Sequence, residues 1–145
     1  MEADKISLKL SKVKFGTDGI RGTFGKMPIT EDVAFSVGYS IAKMIGGKIM
    51  ISRDTRPSGL ALQKSLSDGI LLAGGTPFIT GVLPTSGMAT ALSKSLADAG
   101  IMITASHNPF YDNGFKILLS GGLKLNSEQE NALEVLINET INDLD

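Results

Sequence analysis

Thr104-Ala105-Ser106-His107-Asn108-Pro109 sets a hydroxyl, an imidazole and an amide on consecutive positions of a segment that cannot be helical, because Pro109 pushes Asn108 out of the α region. The residues before it, Ala99 to Thr104, read as a strand. The hexapeptide is therefore the loop leaving that strand's carboxyl end, which is where open parallel sheets collect ligands. Ser106 beside His107 invites a serine-hydrolase reading, but neighbours on an extended loop point in different directions, and no Gly-x-Ser-x-Gly elbow is present. A plain turn whose serine and asparagine bond only backbone is the other reading. Lys116, at the head of the following strand, and Arg21, in Gly16-Thr17-Asp18-Gly19-Ile20-Arg21-Gly22, weigh against it. Two cations near one hydroxyl suggest an anion there.

The whole chain sets limits on the partners. It has 145 residues with 14 basic and 15 acidic side chains, a formal charge of -1, and no basic run, which argues against nucleic acid and anionic lipid as partners. No segment approaches the roughly 18 apolar residues of a membrane helix. The start Met1-Glu2-Ala3-Asp4-Lys5 carries acid where a signal peptide carries base, so a cytoplasmic protein is expected. The absence of cysteine excludes disulfides, thiolate zinc sites and thiol catalysis, and the single histidine excludes an all-histidine metal site. Any metal must be held by oxygen. Asp18 and Asp54 are expected to pair with neighbouring arginines or to cap turns rather than to ligate one.

These side chains have to be positioned by regular elements. Thr30-Glu31-Asp32 opens a helix through Val33, Val37, Ile41, Met44 and Ile45 that stops at Gly46-Gly47. Lys48 to Ser52 reads as a buried strand, Leu62, Leu66 and Ile70 mark a helix ending at Gly74-Gly75, and Thr76 to Val82 is the next strand. A third helix from about Ser86 to Ala97 precedes the strand that feeds the Ser106 loop. Phe115 to Leu119 and Leu123 to Leu125 flank Ser120-Gly121-Gly122 as a hairpin, and Ser127 with Glu130 forms a capping box for a last helix through Leu133, Leu136, Ile137 and Ile141. Strands alternating with helices predict a single domain over 1–145, a three-layer α/β/α fold with a mixed, mainly parallel sheet. The loops after its strands, Arg53 to Gly59, Pro84 to Gly87 and the Ser106 loop, should converge on one edge. Arg53 and Arg56 are left open between surface bridging and buttressing the Ser106 loop. The glycine pairs follow helices and act as stops rather than as a dinucleotide fingerprint.

Thr104 to Pro109 resembles the phosphoserine loop of the α-D-phosphohexomutases, and Phe15-Gly16-Thr17-Asp18-Gly19-Ile20-Arg21-Gly22 resembles their amino-terminal signature. Arg53-Asp54-Thr55-Arg56 and Asn113-Gly114-Phe115-Lys116 also stand where that family has them, so the resemblance runs from about Lys14 to the last helix. Within the family, Gly16 to Gly19 and Tyr111 to Gly114 look most like the phosphoglucosamine mutases, with phosphomannomutase/phosphoglucomutase as the alternative. The resemblance implies that Ser106 is phosphorylated and exchanges its phosphoryl group with a hexose phosphate, giving net transfer between the sugar's 1 and 6 positions. A hexose bisphosphate would act as activator. It assigns Lys116 as general acid/base and gives Arg21 and His107 catalytic roles, with Asn108 and Thr17 in support.

The family's magnesium is held by an Asp-Gly-Asp-Gly-Asp-type loop with a phosphoserine oxygen as a further ligand. This chain would offer Mg²⁺ only the phosphate of Ser106, since it has no such loop. The family's sugar-recognition loop and phosphate clamp are missing too. The chain is thus expected to correspond to the first domain alone, with the remaining domains of the polypeptide as its partners, no mutase turnover by itself, and a bare apolar face that favours self-association. A non-catalytic phosphosugar-binding or interaction module is the other class left open.

Overall fold

A computed structural model describes residues 13–144. Five strands form one sheet in the order β1 (Ile20–Thr23), β5 (Asp112–Leu119), β4 (Ala99–Ile103), β2 (Lys48–Arg53), β3 (Thr76–Val82). Strands β2, β3 and β4 are mutually parallel. β5 runs antiparallel to both β4 and β1, so four of the five strands point one way. The expected three-layer, mixed and mainly parallel sheet is the fold found.

Alternation along the strands sorts side chains onto the two faces. Ile49 and Ile51 of β2, Ala99, Ile101 and Ile103 of β4, and Phe115 and Ile117 of β5 face one side. There they pack with α1 (Glu31–Met44), α2 (Gly59–Leu72) and α4 (Ser127–Leu144) through Val33, Val37, Ile41, Leu62, Leu66, Leu133 and Ile137. Met50 and Met102 face the other side and meet Met88 and Leu92 of α3 (Thr85–Ser93). One face thus carries three helices and the other a single short one. The outer strand β3 is thinly covered, leaving Phe78, Ile79 and Val82 exposed close in sequence to the exposed Leu71 and Leu72 of α2. Among the described residues no helix is long and apolar enough to cross a membrane.

Local chemistry explains the elements. The Thr30 hydroxyl accepts from the Val33 N–H as N-cap of α1, and Glu31 and Asp32 sit favourably at the positive end of its dipole. Gly74 follows α2 at φ 86°, a left-handed conformation that glycine adopts without cost. Asn138 of α4 both donates to and accepts from the backbone of Val13, at 3.0 Å each way, and so ties the start of the described chain to the helical layer.

Four elements depart from the sequence reading. β1 was not anticipated, because Ile20-Arg21-Gly22-Thr23 offers a single large apolar residue; its pairing with β5 makes the strand. Helix α3 ends at Ser93 rather than at Ala97. The chain must return to the sheet at Asp98, whose N–H donates to the Lys48 carbonyl at 2.7 Å, and Ala97 is buried beside the α3 methionine cluster. The expected hairpin arm Leu123 to Leu125 is only an isolated bridge, Leu118 to Lys124, beside the end of β5 that β1 does not reach, and the chain turns at once into the cap of α4 at Asn126. The cap of α4 lies one residue earlier than expected: the Asn126 side chain accepts from the Gln129 N–H and the Gln129 side chain accepts from the Asn126 N–H.

Helices α1 and α2 touch backbone to backbone at Gly38 and Gly69. A Cβ on Gly69 would overlap the Phe35 carbonyl oxygen, and one on Gly38 the Leu66 carbonyl oxygen. Gly69→Ala should therefore destabilise the domain by about 1–3 kcal/mol through overpacking, outweighing the roughly 1 kcal/mol that alanine gains in a helix interior. Urea unfolding would show a lowered midpoint with an unchanged slope, and a raised midpoint would refute the close contact.

Candidate active site around Ser106

The carboxyl ends of β2, β3 and β4 do meet at one edge: the Asp54 N–H donates to the Ile103 carbonyl and the Leu83 N–H to the Arg53 carbonyl, both at 3.1 Å. Ser106 stands just beyond β4 with its Cα–Cβ bond carried on a left-handed backbone, φ 51°, the one positive φ of a non-glycine among the described residues. Its Oγ accepts a hydrogen bond from Arg21 Nη2 and another from Lys116 Nζ, each 3.1 Å long. The two cations come from different strands, and pairing explains why they meet. Arg21 of β1 lies opposite Gly114 of β5, and Lys116 lies two residues further along β5, so both project on the α3 side of the sheet. Lys116 is mid-strand rather than at the strand's head, since β5 starts at Asp112.

Glycine makes that closeness sterically available. A Cβ on Gly19, which sits at φ 88°, would overlap the Phe115 carbonyl oxygen. One on Gly114 would collide with the carbonyl oxygens of Ile20 and Thr104. The turn Gly16 to Gly19, closed by a 2.9 Å bond from the Gly16 N–H to the Gly19 carbonyl, therefore lies flush on β5 and delivers Arg21 to the serine. Asp18 lies 4.0 Å from Arg21 Nη2, as the sequence led us to expect.

Beneath the loop is a polar lattice. The Ser106 N–H donates to Thr104 Oγ1 (3.0 Å), and the Thr104 hydroxyl donates to Asp54 Oδ2 (2.6 Å). Arg56 Nε donates to that same carboxylate oxygen at 3.0 Å. Arg56 Nη2 donates to the Ser106 carbonyl (2.7 Å), and Nη1 reaches the carbonyls of Asn108 (3.0 Å), Pro109 (2.6 Å) and Asp112 (3.3 Å). Of the two roles left open for Arg56, buttressing is the one its geometry has. Arg53 makes a weaker contact, donating to the Asp54 carbonyl at 3.2 Å. Asn108 Nδ2 donates to Asp112 Oδ2 at 3.1 Å. His107 is exposed and has no hydrogen bond to another described residue, and Thr17 is likewise exposed.

Sequence reasoning named Ser106, Lys116 and Arg21, which the fold brings together, and His107, Asn108 and Thr17, which lie around them without touching the serine hydroxyl. It gave no role to Asn113, which is fully buried. Its amide donates to Ser58 Oγ at 2.8 Å and its carbonyl accepts from the Gly114 N–H, tying the start of β5 to the start of α2. An asparagine beside the apolar core of a strand was the available signal. Thr17, Asp18, Thr85, Lys116, Lys124 and neighbouring residues line a cleft of about 330 Å³ beside Lys116. No group of three or more His, Asp or Glu able to hold a metal occurs among the described residues. Asp54, the carboxylate nearest in the hydrogen-bond lattice, is already committed to Arg56 and Thr104.

Comparison with known proteins bears on the family and the fold. Residues 12–143 match the family model described as phosphoglucomutase/phosphomannomutase, alpha/beta/alpha domain I. A phosphoglucosamine mutase 2 from Shewanella frigidimarina is 41% identical over 137 residues, covering 92% of this chain and 30% of that protein. A phosphoglucosamine mutase from Syntrophobacter fumaroxidans is 45% identical over 128 residues, covering 85% of this chain and 28% of that protein. The crystal structure of a phosphoglucomutase/phosphomannomutase family protein from Burkholderia thailandensis superposes with a TM-score of 0.76 at 29% identity, over 94% of this chain and 30% of that one. The chain thus spans under a third of the length of these relatives. A model match over nearly every residue, on a fold that superposes, means that this chain belongs to the phosphoglucomutase/phosphomannomutase family as its α/β/α domain I.

Proposed function

We propose that this domain serves a phosphohexomutase by carrying the transferred phosphoryl group on Ser106, and that the sugar pair is glucosamine 6-phosphate and glucosamine 1-phosphate. The observation that carries the reading is the serine hydroxyl that accepts hydrogen bonds from two cationic side chains, Arg21 and Lys116, with no carboxylate bonded to it. A neutral hydroxyl gives little return for holding two like charges together, whereas a phosphoryl dianion on the same oxygen would be neutralised by both. The choice of sugar is supported by the names of the relatives from Shewanella frigidimarina and Syntrophobacter fumaroxidans.

Phosphoryl transfer asks the protein for in-line placement and for charge to offset the equatorial oxygens, with little further covalent work. In the proposed cycle a sugar hydroxyl attacks the phosphorus of phosphoserine 106, the bond from phosphorus to Ser106 Oγ breaks, and the sugar bisphosphate formed returns its other phosphate to the serine. Lys116, already in contact with Oγ, gives its proton to the departing serine oxygen and takes that of the attacking hydroxyl, so it ends each transfer as the cation it began, and the return step runs the same exchange in reverse. Arg21 holds charge on the phosphoryl oxygens. Asn108, pinned by Asp112, and the exposed His107 and Thr17 meet the sugar phosphate around the serine. A hexose bisphosphate restores a serine that has lost its phosphate.

Magnesium belongs to the proposal for the complete enzyme only. The described residues do not fit an octahedral Mg²⁺ site, because the carboxylate under the loop is spent on Arg56 and Thr104 and two cations flank the serine oxygen.

Three outcomes are expected. Purified on its own, the 145-residue chain should not interconvert glucosamine 6-phosphate and glucosamine 1-phosphate in a coupled assay; sustained turnover would show that the site needs nothing more. In the complete polypeptide, Ser106→Ala should leave less than about a thousandth of the parent kcat/KM, the scale of losing a covalent step. Replacing the proton carrier by Lys116→Met should lower kcat by about a hundredfold or more, and a change under about threefold would remove Lys116 from the acid/base role.

A further inference from the structure

The left-handed backbone at Ser106 is an unfavoured conformation for a residue with a side chain, and it is held from both sides by one ion pair. On the amino side, the Ser106 N–H reaches Asp54 through the Thr104 hydroxyl. On the carboxyl side, the Ser106 carbonyl is gripped directly by Arg56 Nη2, while Arg56 Nε returns to Asp54 and closes the ring. The other terminal nitrogen of Arg56 gathers the carbonyls of Asn108, Pro109 and Asp112, so the turn from the serine to the start of β5 is folded around a single guanidinium. That side chain is 10% exposed, which keeps water from competing for its donors. None of these bonds touches Ser106 Oγ. All of them set the direction in which Oγ points.

We propose that Arg56 is a positioning residue for phosphoryl transfer, acting through Asp54 and Thr104 to lock the Ser106 backbone so that Oγ sits between Arg21 and Lys116. The proposal rests on Ser106 being the phosphoryl carrier. The grip needs a planar fork that can address opposite sides of the loop at once, so lysine cannot replace it: an ammonium is a point charge without fixed donor directions. Loss of the grip releases the serine into ordinary backbone conformations and moves Oγ out of line with the incoming hydroxyl. A displacement of about 1 Å in such a geometry costs about a hundredfold in rate. Substrate binding by the rest of the enzyme is untouched, so the loss falls on kcat.

The test uses the complete polypeptide and measures kcat and KM for the parent and for Arg56→Lys, Arg56→Ala, Thr104→Val, Thr104→Ser and Ser106→Ala. Arg56→Lys, Arg56→Ala and Thr104→Val should lose about a hundredfold in kcat with KM within about threefold. Thr104→Ser, which keeps the hydroxyl, should recover at least about tenfold over Thr104→Val, and guanidinium ion added to Arg56→Ala should restore part of kcat in proportion to its concentration. A merely structural role predicts neither rescue. The inference is overturned if Thr104→Val or Arg56→Lys keeps kcat within about threefold of the parent, or if both rescues are absent. Should Arg56→Ala not fold, the two Thr104 variants decide. Activity in Ser106→Ala would instead remove the carrier assignment itself, whereas its loss beside intact Arg56 and Thr104 variants would remove only the positioning role.

Discussion

The backbone of β5 is approached from both sides more closely than any side chain would allow. Gly19 lays the amino-terminal turn against the Phe115 carbonyl, and Gly114 lets both β1 and the exit of β4 close on the same strand. Because β5 runs against its neighbours, its start lies at the edge where the parallel strands end, next to the Ser106 loop. The register then does the rest. Arg21 opposite Gly114 and Lys116 two positions along arrive at one face, and the serine between them receives both. A side chain at either glycine would push β1 or the loop away and separate the three groups.

Two scales of polar interaction operate here. Lys64 and Asp68 on the outer surface of α2 make a 2.8 Å ion pair of the exposed kind, which water and salt screen and which adds little to stability. Asp54 and Arg56, partly withdrawn from water, serve geometry instead: their charges are repaid by directional bonds to Thr104 and to the carbonyls of four loop residues. The apolar layer above explains how a loop at the rim can be so ordered. β2, β4 and β5 are anchored by the buried Ile51, Ile103 and Phe115, so the ends that carry the polar residues have little freedom.

Much of the scaffold was legible. The helical spacing of Val33, Val37 and Ile41, and the stops at Gly46-Gly47 and Gly74-Gly75, locate α1 and α2 because a glycine pair cannot sustain a helix and an apolar stripe must face a sheet. Strands β2, β3 and β4 follow from their apolar runs. What failed divides between a strand that depends on a distant partner and local details of turns and caps. β1 has almost no apolar signature and exists through its pairing with β5, while the Leu123 to Leu125 arm has the signature but makes one bridge to β5 before the chain turns into the Asn126 cap. The site divides in the same way. Ser106, Lys116 and Arg21 carry their chemistry in their residue types, whereas the sequence leaves Arg56 open between surface bridging and buttressing, and only the fold decides by placing the carbonyls of Ser106, Asn108, Pro109 and Asp112 around it.

On the proposed reading, Ser106 accepts and gives up a phosphoryl group between Arg21 and Lys116. That reading is tested most directly by incubating the complete polypeptide with a hexose 1,6-bisphosphate and mapping phosphate by peptide mass spectrometry. One phosphate is expected, on the peptide containing Ser106, and it should disappear when the treated protein is chased with excess hexose monophosphate. An unmodified Ser106 peptide, or a phosphate on Ser106 that the sugar cannot remove, would contradict the reading.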